Sequence, residues 1–129
     1  MSYEREPVTL GAHLRKRRLE LGLRQQDIQE RFGLDKETYA NWEKDRCYPA
    51  MRHWPRIIEF LGSDPSLLPK TIGERLLAYR RKHGLSRKAV CQALLADEAT
   101  VWRWEVNQRH PNKPRHVMAI GRLLGLAVD

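Results

Sequence analysis

Shifted by 62 positions, the chain repeats itself. Thr9, Gly11, Leu14, Arg18, Gly22, Leu23, Asp35, Thr38, Trp42, Glu43 and Pro49 fall on Thr71, Gly73, Leu76, Arg80, Gly84, Leu85, Asp97, Thr100, Trp104, Glu105 and Pro111, which is 11 identities without a gap. Leu10/Ile72, Ile28/Val90 and Phe32/Leu94 match in kind. Candidate caps, terminal glycines and apolar core positions are kept together, so one supersecondary unit has been used twice. A 129-residue chain built this way has two small cores, each near the size at which one core is only marginally stable. The implied divisions are a flexible arm over 1–8, a first domain over 9–62, a linker over 63–70 and a second domain over 71–129. The linker, SDPSLLPK, holds two prolines and no helical period.

Within each copy the apolar spacing is that of short helices. Thr9 is placed to cap a first helix with Leu10, Leu14 and Leu21 as its buried stripe and Gly22 as its terminator. Leu23, Ile28, Phe32, Leu34, Tyr39 and Trp42 then put one apolar stripe on each of two helices. Gly33 stands between them, where a positive φ is needed, and Asp35 is placed to cap the second. Asp45 suits a left-handed turn, and Met51 to Gly62 reads as one final helix with Trp54, Ile57, Ile58 and Leu61 apolar. In the second copy Thr71 and Glu74 predict a capping box. Leu95 replaces the turn glycine there, at a cost of about 1 kcal/mol or more if it stays left-handed. One residue is inserted after Pro111, and Val117 to Leu126 reads as the closing helix.

From Gln25 to Lys44 the sequence resembles the phage-repressor (Cro-like) helix-turn-helix family, and the second copy resembles it in register. The signs are Gly22-Leu23, Gln25, Ile28, Gly33, Tyr39 and the Trp42-Glu43 that closes the recognition helix. The resemblance implies an all-α protein of two tandem five-helix lambda-repressor-like domains, acting as a sequence-specific transcription regulator on double-stranded DNA. It gives Gln25, with Gln26 beside it, a phosphate or base role at the start of the first motif helix. Lys36, Glu37, Ala40, Asn41 and Lys44 would face the major groove, and Arg46 a backbone phosphate. These types suit the task, since Asn and Gln pair with adenine, Lys with guanine, and Glu accepts from cytosine. The corresponding positions of the second copy are Arg87, Glu98, Ala99, Trp102, Arg103 and Val106, with Lys88 beside the first and Gln108 and Arg109 following. The family also pairs the arginine at Arg18 and Arg80 internally with Glu43 and Glu105. Phosphate contact is the alternative for both arginines.

The second copy departs from the pattern at its outer face. Glu98 repels phosphate, and Trp102 and Val106 are apolar where solvent or DNA is expected. Trp102 has three readings: a stack or wedge against DNA, a protein interface, or a side chain folded over its own domain. The alternative function is therefore an interaction adaptor or antiactivator that reuses the fold without DNA, meeting itself or another regulator through Trp102 and Val106. In the first copy, Gln29 occupies a position where the family carries a small residue, and Cys91 is its compact counterpart.

Charge and composition bound the rest. The net charge is +8, of which +1 lies in residues 1–64 and +7 in residues 65–129, so the second half has the stronger field for polyanions. Arg15, Lys16, Arg17 and Arg18 look like a basic patch, yet four successive helical residues point four ways and no more than two share a face. No apolar run spans a membrane, the start is too polar for a signal peptide, and Cys47 and Cys91 fit a reduced cytoplasmic setting. The histidines and cysteines lack zinc spacing, so no metal or cofactor is expected. No nucleophile or acid/base motif is present, and no enzyme is expected.

Overall fold

The computed structural model describes residues 7–65 and 69–125, which form eight α-helices and no strand among the described residues. The arm expected over 1–8 lies outside the described residues except for Pro7 and Val8, as do residues 66–68 of the linker and 126–129. The chain divides into two compact units, Met1–Ser66 and Leu67–Asp129. Among the described residues each holds four α-helices, where the resemblance implies five.

In the first unit the helices are α1 (Leu10–Glu20), α2 (Gln25–Phe32), α3 (Lys36–Glu43) and α4 (Trp54–Leu61). Thr9 Oγ1 accepts the Ala12 N–H at 3.1 Å and Asp35 Oδ1 the Thr38 N–H at 2.8 Å, so both helices begin on a side-chain oxygen. Gly33 has φ 66°, the left-handed value that turns α2 into α3. The core joins Leu10, Leu14, Ile28, Phe32, Tyr39, Trp42, Trp54, Ile57 and Phe60. Two sequence expectations are corrected here. Leu21 is exposed, because α1 stops at Glu20 and the stripe does not continue past it. The final helix does not start at Met51: Met51–His53 is a 3-10 turn in which Trp54 N–H donates to Met51 O, and the α-helix follows. Pro55 has no N–H to give Met51 an i,i+4 bond, so an α-helix cannot extend back through that residue. Phe60 completes the buried face of α4, with Ile58 and Leu61 half-buried against the same core.

The second unit is built from α5 (Ile72–His83), α6 (Arg87–Leu94), α7 (Glu98–Glu105) and α8 (Pro114–Leu124) around Leu76, Val90, Leu94, Val101, Trp104 and Ile120. Thr71, Ser86 and Asp97 cap the first three through the N–H groups of Glu74, Ala89 and Thr100. The expected Thr71/Glu74 capping box does not close. The Glu74 carboxylate instead accepts from Lys70 N at 2.9 Å and from the Asn107 side chain, tying the start of α5 to the turn that follows α7. The closing helix begins earlier than Val117, with Pro114 at its first turn, where a missing N–H costs nothing.

Leu95 does adopt φ 59°, with its side chain 59% exposed. A left-handed non-glycine residue is strained, and little burial is lost on removing this side chain. Leu95→Gly is therefore expected to stabilise the second unit by about 0.5–1 kcal/mol after the entropic cost of glycine. A urea melt with a lower midpoint for the variant would contradict this.

Candidate nucleic-acid interface

The outer face of the α2–α3 pair is held in place from behind by one charged cluster. Arg18 of α1 meets Glu43, the last residue of α3, through Nε at 2.7 Å and Nη2 at 3.0 Å. Its Nη1 donates to Leu23 O in the turn before α2 at 3.0 Å. Gln25, at the start of α2, donates to Glu43 at 3.1 Å. Gln29 bridges the turn, its amide donating to Lys36 O at 3.0 Å. One arginine and two glutamines thus tie α1, α2 and α3 together.

The second unit repeats the cluster with greater burial. Arg80 meets Glu105 at 2.6 and 2.7 Å and Leu85 O at 2.9 Å, with Arg80 3% and Glu105 6% exposed. Arg87 replaces Gln25 and leans on Glu105 at 3.8 Å. Both Gln25 and Arg87, given DNA roles by resemblance, are therefore engaged with the structural glutamate.

A further clamp was not visible in the sequence. Asp45, left-handed at φ 57°, accepts from Thr9 Oγ1 at 2.7 Å and from Gly11 N at 3.0 Å, joining the end of α3 to the start of α1. Asn107, at φ 62°, takes the Thr71 hydroxyl at 2.8 Å. The helices cross so closely here that a Cβ on Gly11 would stand 2.4 Å from Trp42 O, and one on Gly73 would fall 1.8 Å from Trp104 O. The only sequence signal was that both glycines recur in register.

With α3 fixed this way, Tyr39, Trp42 and Glu43 are buried while Lys36, Glu37, Lys44 and Arg46 are exposed and Ala40 and Asn41 half-buried. Gln26 is exposed on α2, with its amide 3.5 Å from Glu30. On the second unit Lys88, Glu98, Arg103 and Arg109 are exposed, as are Trp102 at 43% and Val106 at 47%. Of the four basic residues in α1, Lys16 lies 3.9 Å from Glu20, Arg17 donates to Phe60 O, and Arg18 is committed to Glu43.

Burial alone would raise the Glu43 carboxyl, but the Arg18 guanidinium, backed by the Tyr39 hydroxyl and the Gln25 amide, outweighs it and holds the group below the usual carboxylate range. A carboxyl depressed in the folded state stabilises above its unfolded pKa of about 4.3, and that stability is lost as pH falls through the folded value. Thermal midpoints of the first unit are expected to drop from pH 5 toward pH 3. Glu43→Gln should flatten that fall, and an unchanged slope would assign it to other carboxylates.

Two short capped helices meeting at a left-handed turn, with a third behind them and a polar outer face, define a helix-turn-helix domain. Residues 14–68 match the helix-turn-helix family model, a family of DNA-binding regulators. No curated protein and no solved structure matches the chain. Among the described residues, no helix is long and apolar enough to cross a membrane.

Proposed function

We propose that the chain is a sequence-specific regulator of transcription that binds double-stranded DNA through two tandem helix-turn-helix domains, with Lys36–Lys44 and Glu98–Val106 entering the major groove. The observation that carries this is α3 itself: its inner side is core, its end is locked by Arg18 and Gln25, and its free side offers Lys36, Glu37, Asn41 and Lys44. Asn41 is the adenine reader and Lys36 and Lys44 take guanine or phosphate, while Arg46 holds the backbone. In the more basic half Arg103 stands where Asn41 does, and Lys88 and Arg109 are further exposed basic residues. The groove faces differ at every exposed position, so one chain acts as a covalent pseudo-dimer on an asymmetric site. An eight-residue linker reaches at most about 28 Å, and recognition helices of this class sit about 34 Å apart, the helices supplying the remainder.

Selection from random duplexes, with wild type and with Asn41→Ala and Arg103→Ala, tests this. Each substitution is expected to cost about 1–3 kcal/mol on the selected site and to relax one position of it. A palindromic site occupied by two chains would contradict the asymmetric arrangement.

The exposure of Trp102 on α7 and of Val106 just past its end supports a second reading, in which the second unit meets a protein. Salt titration separates the two. A groove binder with several phosphate contacts loses affinity for duplex DNA steeply as salt rises, whereas an adaptor shows no duplex affinity to lose.

A further inference from the structure

The first unit has a recess of about 500 Å³ that the groove face does not use. Its apolar lining is Leu21, Phe32 and Phe60, and its polar lining is Arg17, Arg31, Arg56 and Glu59. Phe32 and Phe60 meet edge to face, with centroids 5.7 Å apart. Arg17 Nε donates to Phe60 O at 3.0 Å and Arg56 Nη1 to Arg31 O at 3.3 Å, so two of the guanidiniums are fixed against the backbone by one bond each. A guanidinium carries five N–H donors, which leaves most of them for a guest. Among the described residues no carboxylate forms an ion pair with any of the three arginines.

The repeat supplies an internal control. Tyr79 and Ala93 stand where the first unit has Arg17 and Arg31, and past the one-residue insertion Ala119 and Arg122 stand where it has Arg56 and Glu59. The second unit folds with its counterpart helices and without the arginine trio, so the scaffold does not demand it. Three arginines against the one carboxylate of Glu59 leave the recess net positive, which concentrates anions there, and planar guanidiniums suit forked bonding to carboxylate or phosphate oxygens. The volume lies within the range of small-molecule sites.

We propose that this recess binds a small organic anion, a carboxylate or phosphate on an apolar or aromatic body. Arg17, Arg31 and Arg56 take the anionic oxygens, and Leu21, Phe32 and Phe60 take the body. None of the residues lining the recess is among those assigned to the groove face, so the proposal does not rest on the DNA reading.

Phenyl phosphate is the probe, titrated into the labelled full-length chain and followed by NMR. The Nε–H signals of Arg17, Arg31 and Arg56 and the ring signals of Phe32 and Phe60 are expected to move together and saturate. Inorganic phosphate should move the same arginines more weakly, and phenol should leave them in place. Arg31→Ala removes an exposed side chain and should weaken phenyl phosphate by about tenfold. The double variant Arg31→Ala/Arg56→Ala, carrying the residues of the second unit, should bind more weakly still. Either a lack of saturation by about 20 mM or equal shifts at Arg87, Arg103 and Arg109 would overturn the site. So would unchanged affinity in folded Arg31→Ala, or a trio that responds to duplex DNA and not to phenyl phosphate.

Discussion

Gly73→Ala is expected to unfold the second unit. A methyl group on Gly73 would fall 1.8 Å from Trp104 O and 2.4 Å from Trp104 C, both backbone atoms at the end of α7 that cannot rotate away. Relief requires α5 and α7 to separate, and that crossing also carries the Arg80–Glu105 and Thr71–Asn107 contacts. The cost should be about 3 kcal/mol or more, a large share of what a unit this small can spare. In NMR spectra the Trp104 indole signal should lose its native shift while those of Trp42 and Trp54 stay. Gly11→Ala should do the same to the first unit. A Gly73→Ala protein with native Trp104 signals and wild-type melting would show that the close crossing is not needed.

Arg80→Ala should be nearly as severe, with a loss of about 3–5 kcal/mol. It strands the Glu105 carboxylate in a buried site with Arg87 at 3.8 Å as its remaining partner, and it leaves Leu85 O without its donor. Converting both partners to apolar residues, Arg80→Met with Glu105→Leu, should recover much of the loss, because no uncompensated charge remains. The matching Arg18→Ala should cost less: Arg18 is the more exposed arginine, and the Gln25 amide still reaches Glu43. Urea midpoints of the three variants test the order. A double variant as unstable as Arg80→Ala would mean that the arginine acts through packing and not through charge.

Much of the architecture was legible because local chemistry and periodicity agree along most of the chain. Asp35 and Asp97 cap, Gly33 turns, and Trp42 and Trp104 are buried, each from signals confined to a few residues. The failures share a cause, which is dependence on something beyond the local window. Leu21 has the right spacing for burial but lies past the end of α1. Met51 fits the apolar stripe, yet Pro55 four residues on removes the bond that would make it helical. Glu74 had the spacing of a capping box but found Lys70 N–H and Asn107 instead. Gly11 and Gly73 showed only as a recurring pair, and only the carbonyls of a distant helix explain them. At the candidate interface the outer positions of α3 were legible as what remains once the core is assigned. The engagement of Gln25 with Glu43 was not, since those residues meet only after α1, α2 and α3 have packed.

The two units already show how replaceable the outer surface is. Asp35/Asp97, Thr38/Thr100, Trp42/Trp104 and Glu43/Glu105 recur unchanged, while the outward positions Lys36/Glu98, Glu37/Ala99, Ala40/Trp102, Asn41/Arg103 and Lys44/Val106 have no residue in common. The mount bears the cost of folding and the display does not. Mutation can therefore rewrite what either helix presents without re-solving how it is held, and a library randomised at those five sites should stay folded across most of its members.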